Sequence, residues 1–348
     1  MKEMGRREFV KAVAVGGAAL GLGGIMSHRP QEASASGKYD IGQCKSVRIK
    51  CITELGWYDS KKLLGQILGS PEKVKTSQWT IPWDPKNSGG SCSLIDLETL
   101  EGRHHKFLLD AGWNHPYMEA CFKREGIDKM LKSGEIEALF ISHEHPDHFW
   151  GLETILKYNP EITIFIPGTF YPEGMHFLNG ATFMAANAKN NIPHRGKLIQ
   201  FKPGHINKLY DGCAGVLFDL PIVVRARGEQ SLYFNVKDKG IVCASGCCHQ
   251  KIQATADFAI DKINGGDKLY GVYGGLHIAP FGPMKPKQEG MVKQMGKYDF
   301  KKIACNHCTG EAAVKKMIEL GYPVVKGTAR FGSMSDLYVG NGDEVFFG

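Results

Sequence analysis

Apolar and polar positions along this chain predict a succession of strands with short helices between them. Residues 46–53 (SVRIKCIT) place an apolar side chain at every second position, the period of a strand with one buried face. Residues 89–96 and 106–110 predict a hairpin, joined through the polar turn Glu101-Gly102-Arg103-His104-His105. Residues 121–132 predict a helix, and residues 136–141 (IEALFI) a strand that is apolar apart from Glu137. Phe149, Leu152, Ile155 and Leu156 share one helical face, and residues 162–166 form another short strand. Tryptophans and prolines over residues 57–87 predict an irregular excursion. Residues 167–219 carry Gly, Asn and Pro throughout, so a loop-like segment is expected there, forming a lid or wall over a site.

The second half repeats one theme. Strands at 231–236 and 241–244 flank the turn Lys237-Asp238-Lys239-Gly240, and the second runs into Ser245-Gly246-Cys247-Cys248-His249. A strand at 269–273 runs into Gly274-Gly275-Leu276-His277. A third, at 302–305, runs into Asn306-His307-Cys308-Thr309-Gly310, followed by a helix from Glu311 that Gly321 closes. Each strand delivers a histidine from its C-terminal end, which sets several imidazoles along one rim of a sheet in an α/β chain.

The densest chemistry follows the strand at 136–141. Ser142-His143-Glu144-His145-Pro146-Asp147-His148 holds four metal-binding side chains in six residues. His143 and His145 are two apart, so in an extended segment both imidazoles project to one side and can grip one cation. Asp147 and His148 follow where the chain turns into a helix, displaced toward a second cation. A lone histidine here would read as a solvated surface loop; this constellation reads as a metal site. Imidazole with a carboxylate suits zinc, while iron and manganese remain open because ligand type does not separate first-row metals.

Composition narrows the setting. The chain has 348 residues, 43% of them hydrophobic, ample for a packed core. Residues 1–36 differ from the rest: Arg6-Arg7 with Phe9-Val10-Lys11, a mildly apolar stretch to Met26, then Ala33-Ser34-Ala35. They resemble a bacterial twin-arginine leader with a small-x-small cleavage site. That implies the twin-arginine export machinery as a partner, a periplasmic or secreted location, and a mature domain over residues 37–348. The glycine-rich stretch is short for a bilayer span of about 20 apolar residues, although an uncleaved anchor is the rival reading, and no other stretch could cross a membrane. The formal charge of +7 falls to about +5 without the leader, and no basic run interleaved with aromatics argues for nucleic acid. Ten cysteines lie beyond residue 36, and no disulfide among them can be assigned from sequence. Cys305 and Cys308 form a CxxC around His307, but no thioredoxin-like pattern surrounds them.

The string His143-Glu144-His145-Pro146-Asp147-His148 resembles the HxHxDH motif of the metallo-β-lactamase superfamily. Leu108-Leu109-Asp110-Ala111-Gly112 is similar to that family's strand ending in Asp-x-Gly, and His307 stands where its last histidine motif would fall. The spacing of SGGSCSLID, FLLDAG, GCCH, GGLH and NHCTG resembles one hydrolase-like branch, which includes a dihydropterin synthase. Over residues 51–347 the resemblance implies an αββα sandwich of two mixed sheets with outer helices. It also implies one or two ions, zinc by preference, held by His143, His145, Asp147, His148, His249 and His307. Two positions depart from the family: Arg227-Gly228-Glu229 replaces a usual histidine, and Gly246-Cys247 replaces a Gly-Asp, so His249 is taken as the ligand of that segment and Cys247 as its rival. These departures argue against lactam hydrolysis.

Asp110 is expected to orient a ligand histidine, and His277 to contact substrate or a ligand. The resulting expectation is metal-assisted hydrolysis of a small-molecule substrate, with water brought from a pKa of 15.7 toward about 7 and Asp147 accepting its proton. Ester, thioester, phosphodiester, lactone and amide bonds all remain open. The alternatives are C–N bond chemistry on a pterin-like substrate, and a periplasmic metal-binding protein without turnover.

Overall fold

The computed structural model describes residues 37–54, 65, 67, 69, 72–84 and 89–348. The leader assigned to residues 1–36 and much of the excursion at 57–87 lie outside the described residues. Strands β1 (Cys44–Thr53), β2 (Cys92–Thr99) and β3 (His104–Leu109) form an antiparallel meander. Strands β4 (Ile136–Phe140) and β5 (Thr163–Pro167) continue it in parallel. A separate ribbon pairs β6 (Thr182–Phe183) with β7 (Ala188–Lys189), and β8 (Leu198–Phe201) then closes the edge beside β5. In the second half β9 (Ile206–Tyr210), β10 (Cys213–Ile222), β11 (Ala226–Val236) and β12 (Gly240–Ser245) pair antiparallel. Strands β13 (Leu269–Gly275) and β14 (Lys302–Asn306) run parallel to β12, and β15 (Glu344–Phe347) pairs with β1.

Hydrogen bonding runs unbroken through thirteen strands, but β1 and β11 share a single registered pair, Cys44 opposite Val236. The halves fold face to face across that joint. Tyr210 of β9 stacks on Phe107 of β3, ring centroids 5.7 Å apart. A Cβ on Gly215 of β10 would stand 2.5 Å from the ring of Phe201 and 2.9 Å from that of Phe140, so only glycine lets the halves approach there.

Each half is covered outside by helices. Leu108, Leu139 and, just past β4, Ile141 pack with Met118 and Phe122 of α1 (His115–Glu125), Ile127 and Leu131 of α2 (Ile127–Ser133) and, beyond the four-residue α3 (Pro146–Phe149), Leu152 and Ile155 of α4 (Leu152–Tyr158). Phe177 of α5 (Pro172–Leu178) joins them. On the other side Cys243, Val272 and Ile303 meet α6 (Ile252–Lys262), α7 (Pro286–Met295) and α8 (Glu311–Glu319) through Ala256, Val292 and Val314. The result is the mixed α/β sandwich with outer helices.

Three expectations are corrected. The helix expected at 121–132 is two helices, because Gly126 adopts φ +72° and ends α1 with its N–H on Phe122 and Lys123. His104 and His105 belong to β3 rather than to the turn, since Asp96 and Glu137 lie beside them as partners. Residues 167–219 are not loop-like: they hold α5, the β6–β7 ribbon and strands that extend both halves. Gly, Asn and Pro there mark the tight turns between short elements. No helix among the described residues is long and apolar enough to cross a membrane.

Candidate metal centre

Parallel strands end in register, and the loops after β3, β4, β12, β13 and β14 open on one rim. The loop after β4 is fixed first. Asp110, at the end of β3, is fully buried with φ +65°, and its Oδ1 accepts the N–H of Ser142 at 2.6 Å. The N–H of Gln230 donates to the Ser142 carbonyl at 2.9 Å, and its side-chain amide to the Ile141 carbonyl at 2.7 Å, so β11 braces the same loop from the other half. Ser91 N–H caps the Asp147 carbonyl at 2.8 Å. A Cβ on the neighbouring Gly90, at φ +86°, would stand 2.2 Å from that oxygen.

Hydrogen bonds assign the tautomer of each histidine. Ser142 Oγ donates to Asp110 Oδ2 at 2.9 Å, so it must accept from His143 Nδ1 at 2.8 Å, which leaves Nε2 of His143 with its lone pair. His145 Nε2 donates to the Val223 carbonyl at 2.8 Å, leaving Nδ1. Asp110 Oδ2 also takes the Nδ1 proton of His148 at 2.6 Å. His249 Nδ1 donates to Glu229 Oε2 at 2.7 Å, and His307 Nδ1 to the Glu54 carbonyl at 2.9 Å. Five imidazoles thus each tie down one nitrogen and present the other.

The second nitrogens of these rings lie in two groups. One donor atom each from His143, His145 and His249 lie within 4.8 Å of one another, and so do those of Asp147, His148 and His307. In the second group Nε2 of His148 and Nε2 of His307 are 3.2 Å apart, and Asp147 Oδ2 is 3.2 Å from the latter. Cys247 Sγ lies 3.2 Å from His148 Nε2 and stands with His143 and His148 in a third such group, between the two. All six side chains predicted as ligands, and Cys247, are therefore brought together. His277, at φ +44°, sits with its ring 4.4 Å from that of His249 and belongs to a group with Cys247 and His249. His104, His105 and His194 are held by other partners.

The fit to a cation can be tested on these atoms alone. His143 Nε2, His249 Nε2 and Asp147 Oδ1 are buried without a hydrogen-bond partner. Buried acceptors are left unpaired at a cost of about 1–3 kcal/mol each, so these atoms, two in the first group and one on Asp147 of the second, call for a ligand that accepts lone pairs. A cation answers that description and suits an imidazole–carboxylate donor set.

Electrostatics divide the two groups. Burial, reinforced by neighbouring histidines, pushes the His143 pKa far down and that of His145 to about 3, so both are neutral donors. Burial opposes ionisation of Asp147 too, but His148 and His307 outweigh it and hold the carboxyl at about 2. His307, against the same burial, is raised to about 10 by its bond to Asp147. The second group is a compact ion-paired set whose protons a cation would displace.

Sequence reasoning missed three residues. Glu229, fully buried at the root of β11, accepts the N–H groups of Cys247, Cys248 and His249 at 2.8, 2.7 and 2.6 Å, besides Ser245 Oγ and His249 Nδ1. It folds the Cys247–His249 loop around one carboxylate. Glu54 fixes His307. Cys308 stands in a donor group with Cys247 and His307.

Residues 87–218 match the family model described as the metallo-beta-lactamase superfamily. Among solved structures the chain is similar to Tm1679, a metal-dependent hydrolase of the β-lactamase superfamily, with 16% identity, a TM-score of 0.53, and coverage of 86% of this chain and 98% of that one. A long-form RNase Z from yeast is 14% identical over 90% of this chain and 42% of its own, TM-score 0.45. A quorum-quenching N-acyl homoserine lactone lactonase is 16% identical over 76% of this chain and 92% of its own, TM-score 0.36. No curated protein matches the chain. The partial family match and the likeness to Tm1679 agree on the metallo-β-lactamase fold.

Proposed function

Starting from a metallo-β-lactamase fold, we propose that this protein is a metal-dependent hydrolase whose cations sit on His143, His145 and His249 and on Asp147, His148 and His307. The observation that carries this reading is the set of five histidine tautomers, each fixed by a different acceptor so that the remaining nitrogens face shared space. Zinc is the preferred ion for this donor set. When bound, it supplies Lewis acidity at the scissile oxygen and a lowered pKa for water.

The chain's own groups do the rest. Asp147 keeps one oxygen on His307 while Oδ1 is left free to orient the attacking water and accept its proton. Asp110 and Glu229 hold His148 and His249 in register, and the His277 ring, 4.4 Å from that of His249, supports a substrate-contacting role for it. The substrate is a small molecule with an ester, thioester, phosphodiester, lactone or amide bond. The motif spacing GCCH, GGLH and NHCTG favours the branch with the dihydropterin synthase, and with it C–N chemistry on a pterin-like substrate, as the second reading. An exported protein weighs against a biosynthetic role.

Strip the protein with a chelator and return zinc, manganese or iron singly, scoring a panel of chromogenic esters and phosphodiesters. Turnover should vanish and return with metal, and Asp147→Asn should bind metal but lose about 10²–10⁴-fold in rate. Full activity of metal-free protein would overturn the mechanism. Export through the twin-arginine route is tested separately: with Arg6 and Arg7 both changed to Lys, a shortened protein still reaching the periplasm would remove that assignment.

A further inference from the structure

The CxxC of Cys305 and Cys308 is not the dithiol of this fold. Cys305 is sunk in the apolar core of the second half, with Val272, Ile303 and Val314. Cys308 belongs instead to the metal cradle, where its Sγ–H donates to the Cys247 carbonyl at 3.4 Å. The sulfurs of Cys247 and Cys308 lie within 4.8 Å of each other and of a His307 nitrogen. Gly275 makes the room between the two loops: a Cβ there would stand 2.6 Å from Cys308 Sγ and 3.2 Å from Cys247 Cα. A disulfide needs the sulfurs at about 2.05 Å, so closing the bond from that separation takes rotation about the two Cα–Cβ bonds and a shift of the loops.

We propose that Cys247 and Cys308 are a reversible disulfide site, and that closing it competes with loading of the metal centre. Only the second clause rests on the metal-centre reading. In the closing step both thiols give up a proton, one S–S bond forms, and two electrons pass to the oxidant. A peroxide takes them with the two protons and becomes two molecules of water when it is hydrogen peroxide; a low-molecular-weight disulfide is released as two thiols. The competition follows from geometry. Cys247 Sγ is also the sulfur 3.2 Å from His148 Nε2, and His307 adjoins both sulfurs, so an S–S bond and a cation claim the same atoms.

The test oxidises the full-length metal-free protein with hydrogen peroxide, then counts remaining thiols and maps the cross-linked peptides by mass. Wild type and Cys305→Ser should each lose two thiols, joined between Cys247 and Cys308, and Cys308→Ser should lose none. Zinc at 100 times its Kd should slow closure roughly 100-fold, since only the unloaded fraction reacts. Because the cross-link is located in the wild type, the result does not depend on a variant folding. Wild type that keeps all ten thiols while its urea-unfolded form is oxidised, or a bridge that joins Cys305 instead, would overturn the proposal. A Cys247–Cys308 bridge that zinc does not slow would uphold the site and count against the metal-centre reading.

Discussion

Glu229 is the residue on which the Cys247–His249 loop hangs, and Glu229→Gln is the sharpest test of it. The substitution keeps the shape, removes the charge, and turns one carboxylate oxygen into an NH2 group. If Oε1 is the atom that stays oxygen, Ser245 Oγ and the N–H groups of Cys247 and Cys248 retain an acceptor. The NH2 then faces the N–H of His249 and its Nδ1–H, both of which donate to the carboxylate in the wild type at 2.6 and 2.7 Å. Two buried donors without an acceptor cost about 1–3 kcal/mol each, and the three surviving bonds lose their charge assistance. The terms are not additive, so the expected loss is about 3–5 kcal/mol, the upper end for a single substitution. A typical domain is stable by about 5–15 kcal/mol, so the variant should still fold.

Two measurements read the effect. Urea unfolding of metal-free wild type and variant gives the stability difference, valid while the slopes agree. Competition for zinc with a chromophoric chelator gives the second, because His249 without its carboxylate should lower affinity about 10–100-fold. A difference below about 1 kcal/mol together with unchanged zinc affinity would refute the account of Glu229 as the organiser of this loop.

Glu144 should behave oppositely: burial drives its pKa far up, so it is a neutral acid with one oxygen unpartnered, and Glu144→Gln should change urea stability by less than about 1 kcal/mol. Gly246→Ala would set a Cβ 2.2 Å from Ser142 Oγ and 2.5 Å from Asp110 Oδ2, so it should cost about 1–3 kcal/mol and weaken zinc binding, measured as for Glu229. His194 donates to the Ile162 carbonyl at 2.6 Å, and burial outweighs that bond and lowers its pKa. Its neutral form is favoured by folding, so its contribution is present above the unfolded value of about 6.5 and fades as the pH falls below it; His194→Gln should lose less stability than wild type between about pH 7 and pH 5 by urea titration.

What could be read from the chain was whatever a short segment decides by itself. His143, His145, Asp147 and His148 follow a strand in six residues, and spacing alone sets them on one loop. The histidines at 249, 277 and 307 were legible as strand ends, and parallel pairing of β12, β13 and β14 makes strand ends neighbours. Glu229 was not legible, because its role is written in N–H groups some twenty residues later that have no side-chain signature. Residues 167–219 misled for a related reason: short strands at an edge are held by pairing with distant partners, so their local composition is that of the turns between them. Cys308 was visible only as half of a CxxC that no thioredoxin-like pattern supported, and its place was not legible, because β14 turns Cys305 into the core while the turn beyond it carries Cys308 toward Cys247 and His307. The loop of His143 to His148 is thus encoded locally, and what holds the proposed ligands still is encoded in the topology. Substitutions at Asp110, Glu229 and Gly275 should for that reason alter metal affinity and oxidation while leaving every proposed ligand in place.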